Sequence, residues 1–470
     1  MNKLSRFNTV IRFMKNNQKN KNSKVGPLSN GMEKIVSLAK RRGFIFPGSE
    51  IYGGLANSWD YGPLGAELIN NISNLWWKKF VQQRSDVVGL RGPIIMNPKV
   101  WEASGHVKNF TDPLVECKIC HIRLRADKQT ELKDHAETHK GKEVTWTDPK
   151  NFNTLFETYI GTVEDSKLKA YLRGETAQTM FTDFKLVLES MRKKLPLGIA
   201  QIGKAFRNEI TTGNFIFRTK EFTIAELEYF IAPGEDDKAF EEWLEYQQNF
   251  FVSDLGLKKE NIKTVELPKD GLAHYSKRTV DTYYNFPFGW DEVAGIANRT
   301  DYDLKNHIEL SGANLSYKDP VSEKEFVPYV IEPTFGLDRI MLAVLLDAYS
   351  ESEARSGKED AVHENEITLR LPKQLAPIKI AVLPLSKKEE LTQPALEILN
   401  NLQKNWMCQY DETGSIGKRY RRQDEIGTPY CVTVDFETIN DQAVTVRDRD
   451  TMKQERIKIS ELVVYLKALL

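Results

Sequence analysis

Apolar positions along the chain follow two rhythms. The first repeats every three or four residues, the spacing of a helix face. Ile35, Val36, Leu38 and Ala39 predict a short helix over 32–42. Pro63 opens another, with Leu64, Leu68, Ile72, Leu75, Trp76 and Phe80 on one side. Proline suits a first helical turn, where its missing N–H is not needed. Met180, Phe184, Leu188 and Met191 place a helix within 176–194, and 234–256 reads as an acidic amphipathic helix. Residues 340–346 are apolar all round, which predicts a buried helix. An extended run, 86–98, lies between the early helices and the rest.

The second rhythm is the alternation of a strand. Residues 202–209 and 217–230 both alternate, and Gly213 and Asn214 between them suit a turn. On the return arm Phe222, Ile224, Glu226, Glu228 and Phe230 share a face; on the outgoing arm Arg207 and Glu209 do. Carboxylates on an apolar strand face are costly unless something cationic meets them. The hairpin offers arginines for phosphate, an aromatic ring for a flat base and carboxylates for an amine. That set suits joining ATP to an amino acid. The same spacing also fits an ion-paired surface hairpin with a solvated face. A buried strand and loop over 288–300 follows, and later the run from Tyr329 to Arg339 leads into the buried helix, with Arg339 held at its start. An arginine held there needs an anionic partner.

The last hundred residues form a separate pattern. Residues 378–384, 430–434 and 443–446 read as strands, 394–402 and 459–470 as helices, giving a small mixed sheet. Residues 350–365 are polar and read as a linker. The expected division is therefore 1–31, 32–365 with an insertion at 112–150, and 366–470. The basic run 418–422 sits in a glycine-containing stretch and reads as a loop, solvated or weakly assignable to RNA contact.

Composition narrows this only a little. Lys and Arg (66) balance Asp and Glu (66), so nucleic-acid binding must come from local patches. No apolar run reaches about 18 residues, so no membrane-spanning helix is expected. The 4 cysteines are too few for a disulfide framework and fit a reducing compartment, with a cytoplasmic location expected. Residues 1–31 carry Lys3, Arg6, Arg12, Lys15, Lys19, Lys21 and Lys24 and no acid. They read as a disordered extension; an organellar transit peptide or an upstream start before Met32 are the alternatives. There is no GxxxxGK[ST] loop, so a nucleotide must bind elsewhere, on the antiparallel hairpin.

With those residues in view, the chain resembles the homodimeric type of glycyl-tRNA synthetase, a class II aminoacyl-tRNA synthetase family. The stretches 43–65, 97–106, 173–178, 295–304 and 414–422 carry the likeness, which runs from about Met32 to the C-terminus. The helix from Pro63 with the extended run resembles motif 1, a dimer interface. The hairpin resembles motif 2, and Gly336-Leu337-Asp338-Arg339 with its buried helix resembles motif 3. The resemblance implies an α+β fold: an antiparallel catalytic sheet flanked by helices, binding a bent ATP, followed by a C-terminal α/β anticodon-binding domain. It implies ATP-dependent activation of glycine to glycyl-adenylate and transfer to tRNA(Gly), with Mg2+ on the phosphates.

The resemblance also implies roles. Arg207, Asn208 and Glu209 meet ATP, with Arg207 on the α-phosphate; Phe217, Arg218, Thr219, Lys220, Glu221 and Phe222 wrap it, with Phe222 on adenine. Glu292, Val293 and Gly336 to Arg339 complete the ATP site, with Leu337 and Asp338 between them and Arg339 on the γ-phosphate. Arg207 and Arg339 are the expected catalytic groups. Arg125, Glu175, Phe222, Thr223, Ile224, Ala225 and Glu226, together with Glu332, Pro333, Thr334, Phe335 and Gly336, surround glycine. Lys220 stands where the family often has Arg, Val293 where Leu is usual, and Thr334 where Ser is usual. Two other readings compete: a synthetase-like binding protein that has lost the reaction, and a class II synthetase for another amino acid. Retention of Arg207, Glu209, Phe222, Glu226, Glu332 and Arg339 disfavours the first; the stretches around Glu175 and Glu332 disfavour the second.

Cys117-x2-Cys120 and His135-x3-His139 have the spacing of tetrahedral zinc ligands. The competing reading is two incidental thiols and two surface histidines on a polar helix. Cys408 and Cys431 read as core thiols.

Overall fold

A computed structural model of the protein describes residues 30–162, 167–209, 213–353 and 365–470. All of the basic extension except Asn30 and Gly31, and most of the expected linker, lie outside the described residues.

A seven-stranded sheet organises the larger part. Its order is Ile262–Glu266, Arg278–Phe286, Gly289–Thr300, Tyr329–Gly336, Glu221–Ile231, Leu197–Phe206 and Val87–Gly89. Every neighbouring pair is antiparallel except the last, where Val87–Gly89 runs parallel to Leu197–Phe206. Of the extended run 86–98, only this short strand pairs within the sheet.

The two faces of the sheet do different work because side chains alternate across it. One face sends Leu227, Tyr229 and Phe335 into the main core. Phe335 meets Phe80 at 4.8 Å and Trp76 at 5.7 Å between ring centroids, from the helix Pro63–Trp77 and its wider last turn. Each such fully buried aromatic contributes about 1.5–3 kcal/mol. The helix Leu337–Ala348 lies within this core, buried from Ile340 through Leu345, as its all-round apolar sequence predicts. The helix Asp236–Asn249 closes the same side, with Trp243 against Tyr229 at 5.1 Å. On the opposite face the upper half stays open, while Phe230, Leu197 and Ile199 join a second core under Ala177–Thr182 and Phe184–Ser190.

Three local expectations are corrected. The helix expected within 176–194 breaks at Asp183, which sits at φ −97° and ψ 2°, and leaves Met191 half exposed rather than in the core. The ends of the expected linker pair with each other, Tyr349–Glu353 against Asn365–Leu369. The basic run is not a loop but part of the helix Ile416–Ile426. There Arg419 is buried and donates to the carbonyl oxygens of Pro384, Leu385 and Asp411, Arg422 pairs with Asp411 at 2.6 Å, and Arg421 pairs with Glu366 at 2.7 Å. These arginines are committed to holding the chain together.

Residues 380–470 build a five-stranded sheet with its own core. Cys408–Tyr410, Ile380–Pro384 and Tyr430–Val434 run parallel; Ala443–Asp448 and Gln454–Lys458 continue it antiparallel. Cys408 and Cys431 are buried thiols within this unit. Among the described residues no helix is long and apolar enough to cross a membrane.

Candidate functional site

The open half of the sheet face floors a cavity of about 710 Å3. The hairpin strands pair from Glu221↔Phe206 to Phe230↔Leu197, and between them Phe215–Phe217 form a short turn whose Ile216 and Phe217 line the cavity. Phe217 is wedged against Phe286 and Phe288, each at 5.0 Å. At one end the Arg207 guanidinium lies between the rings of Phe110 (5.1 Å) and Phe222 (5.4 Å), and its Nε donates to the Gly174 carbonyl at 3.2 Å. At the other end Arg339 covers the Phe217 ring at 4.5 Å. Its Nη1 donates to the Glu292 carbonyl at 3.0 Å and to Glu292 Oε2 at 3.2 Å. Glu292 is thus the anionic partner that Arg339 requires. Arg218 pairs with Glu209 at 3.4 Å. Two arginines held on aromatic rings and lining the cavity suit phosphate oxygens.

Deeper in the cavity, acids gather around one arginine. Arg299 is fully buried on the strand Gly289–Thr300. Its Nη1 donates to both oxygens of Glu332 at 2.9 Å, and its Nε and Nη2 donate to Asp303 at 2.8 and 2.9 Å. The Tyr275 ring covers it at 3.6 Å. Glu226 Oε2 accepts from the Thr176 backbone N–H at 2.6 Å and from the Thr176 hydroxyl. Glu175 accepts from Gln178 at 2.9 Å and meets His106 Nε2 at 3.1 Å.

These environments push the carboxyls apart. Burial opposes ionisation of Glu175, but His106, Arg299 and Gln178 outweigh it and hold the group well below the usual carboxylate range. Burial pushes Glu332 up to about 8; Arg299 resists the rise, and Glu226 and Glu175 add to it. Burial and then Glu175 raise Glu226, against the Thr176 hydrogen bonds. Beneath them Glu228 is raised well above its ordinary value by burial and then by Glu332, and neither of its oxygens finds a hydrogen-bond partner among the described residues.

Most of the expected site residues converge here. Arg125, Glu175, Arg207, Glu209, Phe217, Arg218, Thr219, Phe222, Thr223, Ile224, Glu226, Glu292, Val293, Glu332, Thr334, Gly336, Asp338 and Arg339 line the cavity. Strand alternation turns Ala225, Pro333 and Phe335 to the opposite face, so their side chains do not reach it. Leu337 is buried in the core. Lys220 donates to Asn208 at 3.0 Å and Lys204 meets Glu221 at 3.4 Å, outside the lining. Asp338 faces the cavity but is tied to the Tyr61 hydroxyl and to the Thr223 N–H at 2.6 Å. Sequence reasoning assigned no role to Arg299, Asp303, His106 or Tyr275. Arg299 carried the signal used for Arg339, a lone arginine on a buried apolar element, within a strand already expected to be buried.

The insertion brings the Cys/His set together. The strands Thr111–Glu116 and Arg123–Arg125 form a hairpin whose turn holds Cys117 and Cys120, and the helix Gln129–Thr138 with its cap residue supplies His135 and His139. Cys117 Sγ lies 3.6 Å from His139 Nε2, Cys120 Sγ 3.3 Å from His135 Nε2, and the two Nε2 atoms are 3.2 Å apart. All four ligand atoms fall within 4.8 Å of one another. Zinc bonds of about 2.0–2.3 Å in tetrahedral array place ligand atoms roughly 3.3–3.8 Å apart, so the set fits zinc.

Comparison with known proteins agrees with this architecture. The class II tRNA synthetase core domain (G, H, P, S and T) matches residues 162–349, and an anticodon binding domain matches residues 379–469. The chain is 52% identical over 461 residues to the glycine–tRNA ligase of Alkaliphilus oremlandii, covering 93% of this chain and 97% of that one. It is 54% identical over 458 residues to the glycine–tRNA ligase of Acetivibrio thermocellus, covering 92% and 97%. The corresponding protein of Streptomyces coelicolor is 52% identical over 451 residues, covering 93% and 97%.

Proposed function

The chain belongs to the glycine–tRNA ligases, aminoacyl-tRNA ligases with a class II core, and we propose that the 710 Å3 cavity is where it joins glycine to ATP and then to tRNA(Gly). Glycine carboxylate oxygen attacks the α-phosphorus of ATP; pyrophosphate leaves and glycyl-adenylate remains. A hydroxyl of the 3′-terminal ribose then attacks the glycyl carbonyl and AMP leaves. Neither step needs a side-chain nucleophile, so positioning and charge stabilisation supply the acceleration.

The residues divide along the cavity. Arg207, pinned between two rings, takes the α-phosphate oxygens where charge develops, and Arg339 takes the γ-phosphate. Phe222 offers the adenine stack. Glu209, Phe217 to Thr219, Glu292, Val293, Gly336 and Asp338 frame the nucleotide. Magnesium arrives with ATP as part of the substrate. Glu175, Glu226 and Glu332 close on the glycine ammonium, while Arg125, Phe222 to Ile224, Thr334 and Gly336 bound the space around it. Glycine has no side chain to grip, so selectivity rests on filled volume that rejects larger amino acids. The methyl of Thr334 adds to that filling.

The observation that carries this reading is the acid cluster, buried and fixed by Arg299, Thr176, His106 and Gln178 before any ligand arrives. Amino-acid-dependent pyrophosphate exchange across all twenty amino acids tests it. Exchange is expected with glycine alone and absent in Glu175→Ala; normal exchange in that variant refutes the assignment.

The remaining proposals concern surroundings. Residues 366–470 bind the anticodon, supported by the family match over 379–469. The enzyme is a homodimer, supported by the exposed apolar side chains Ile51 (88% exposed), Tyr52 (87%) and Leu55 (68%) beside the motif 1-like helix; a monomeric sedimentation coefficient at micromolar concentration overturns this. Its location is cytoplasmic, supported by four free thiols. Cys117, Cys120, His135 and His139 hold one structural zinc per protomer, which cross-links the insertion; metal analysis of chelator-free protein tests it.

A further inference from the structure

The Cys/His set stands at one end of a short hairpin, and the phosphate-facing end of the cavity stands at the other. Phe110 immediately precedes the strand Thr111–Glu116, and Cys117 immediately follows it. Phe110 puts its ring under the Arg207 guanidinium at 5.1 Å. Asp112 pairs with Arg125 at 2.9 Å, and both line the cavity. The two strands sit in register Leu114↔Arg125 and Glu116↔Arg123, so the pitch of the Cys turn sets where Arg125 and Asp112 fall. The root is tied in as well: Thr154 N–H donates to the Phe110 carbonyl at 2.9 Å, and Asn208 N–H, next to Arg207, donates to the Thr154 carbonyl at 2.7 Å.

Backbone bonds from Thr147 to Glu116 and from Lys118 to Thr145 also hold the Cys turn, but little apolar burial supports the hairpin. Its sheet has only three short strands, the third being Lys150–Asn153. Of the two pairing strands only Val115 is buried apolar surface. Ribbons of this size are marginal alone, and small modules without a core lean on a metal for order. Phe110 packs on Trp101, Leu155 and Tyr171, and a knuckle joining the turn to the helix Gln129–Thr138 would add to how firmly the strand that leaves it is held.

We propose that metal occupancy at Cys117, Cys120, His135 and His139 positions Phe110 under Arg207 at the nucleotide end of the cavity and Arg125 beside the glycine space, so that zinc and the ATP–glycine pair bind cooperatively. This rests on the zinc assignment above. A zinc that serves only local folding, or only docking of the tRNA, would leave amino acid activation indifferent to it. Coupling is reciprocal: whatever factor zinc contributes to ATP binding, ATP contributes to zinc binding.

The test uses the full-length protein. Zinc affinity is measured by competition with a chromophoric chelator, with and without ATP plus glycine, and pyrophosphate exchange is measured on zinc-loaded and zinc-stripped enzyme. Zinc affinity is expected to tighten about 5-fold or more with the substrates present. Stripping is expected to raise the KM for ATP, with a smaller change in kcat. Phe110→Ala, which leaves the ligands in place, is expected to bind zinc normally but lose the response to ATP and glycine. Protein that takes up no zinc overturns the zinc assignment itself. Zinc bound at one per protomer, with an affinity blind to ATP and glycine and an exchange KM unchanged by stripping, overturns the coupling while leaving the zinc site standing. A rise confined to the KM for tRNA also overturns it. The reciprocal measurement needs no variant, so misfolding of Phe110→Ala leaves the test intact.

Discussion

Replacing Arg299 by lysine keeps the buried charge and removes the fork. Arg299 makes four N–H···O contacts of 2.8–2.9 Å, two to Asp303 and two to Glu332, from a site with no solvent exposure. An ammonium on a shorter reach cannot face both carboxylates in bidentate fashion, so at least one pair of contacts is lost. Hydrogen bonds to charged groups are each worth about 1.5–3 kcal/mol net, and breaking a buried pair costs about 3–5 kcal/mol because one carboxylate is left bare. Arg299→Lys is therefore expected to lose about 3–5 kcal/mol of stability. It also frees Glu332 to move, and a displacement of 1 Å at a reacting site is worth about 100-fold. The assays are urea unfolding followed by tryptophan fluorescence and the glycine dependence of pyrophosphate exchange. Arg299→Met removes the charge as well, and pH separates the two variants. Without the cation Glu332, Glu226 and Glu228, already raised, are raised further above their unfolded values. Stability held by a raised acid is full below its unfolded pKa and is lost as pH climbs through the folded one. The Arg299→Met defect should thus be smaller at pH 5 than at pH 8. An unchanged urea midpoint together with a wild-type glycine KM in Arg299→Lys would refute this reading of the acid cluster.

Glu332, pushed up to about 8, must shed its proton to receive an ammonium. The kcat/KM for glycine should then rise with pH and level off above about 8; a flat profile from pH 6 to 8.5 contradicts this. Arg207→Ala should cut the exchange rate about 100- to 1000-fold, the usual loss when one transition-state donor is removed, with little change in melting temperature because the side chain is only half buried. Arg419→Met orphans the carbonyl oxygens of Pro384, Leu385 and Asp411. At about 1–3 kcal/mol per buried unsatisfied group, the C-terminal sheet should melt earlier while pyrophosphate exchange stays at the wild-type rate.

Alternation alone showed that Glu226 and Glu228 share a strand face, and the cost of burying them demanded a cation. The cation itself was invisible to that argument because Arg299 comes from a strand about seventy residues later. Its nearness is a product of strand order, Gly289–Thr300 beside Tyr329–Gly336 beside Glu221–Ile231. Periodicity is local, and cross-sheet neighbours are not. The same limit explains the basic run: Gly414 and Gly417 suggested a loop, yet Gly414 at φ 84° lies just before a helix and Gly417 within it. What buries Arg419 is the C-terminal sheet edge, which no local pattern describes. Pro333 and Phe335 entered the expected glycine site as part of a continuous stretch; the pleat sends every second side chain away from it. The Cys/His spacing was readable because both pairs are short-range and sit on elements of fixed pitch.

The acid cluster also explains why so polar a pocket can exist inside a sheet. Glu175, Glu226, Glu228, Glu332 and Asp303 are all buried, and Arg299 ion-pairs with Asp303 and Glu332 and lies 3.8 Å from Glu175. Full ionisation would leave several bare charges at short range, each costing kilocalories. The burden is divided instead. Glu175, with His106 and Arg299 near it, is kept ionised. Burial and Glu332 push Glu228, which has no partner for either oxygen among the described residues, towards its neutral form, and Glu332 is pushed up to about 8. The result is a pocket short of positive charge by a margin that one small cation can supply. An ammonium brings that charge and donors for the lone pairs the cluster leaves unused. Charge alone would welcome any amino acid. On the proposed reading the charge fixes where the ammonium sits, and the volume beside Thr334 decides that nothing may be attached to its α-carbon.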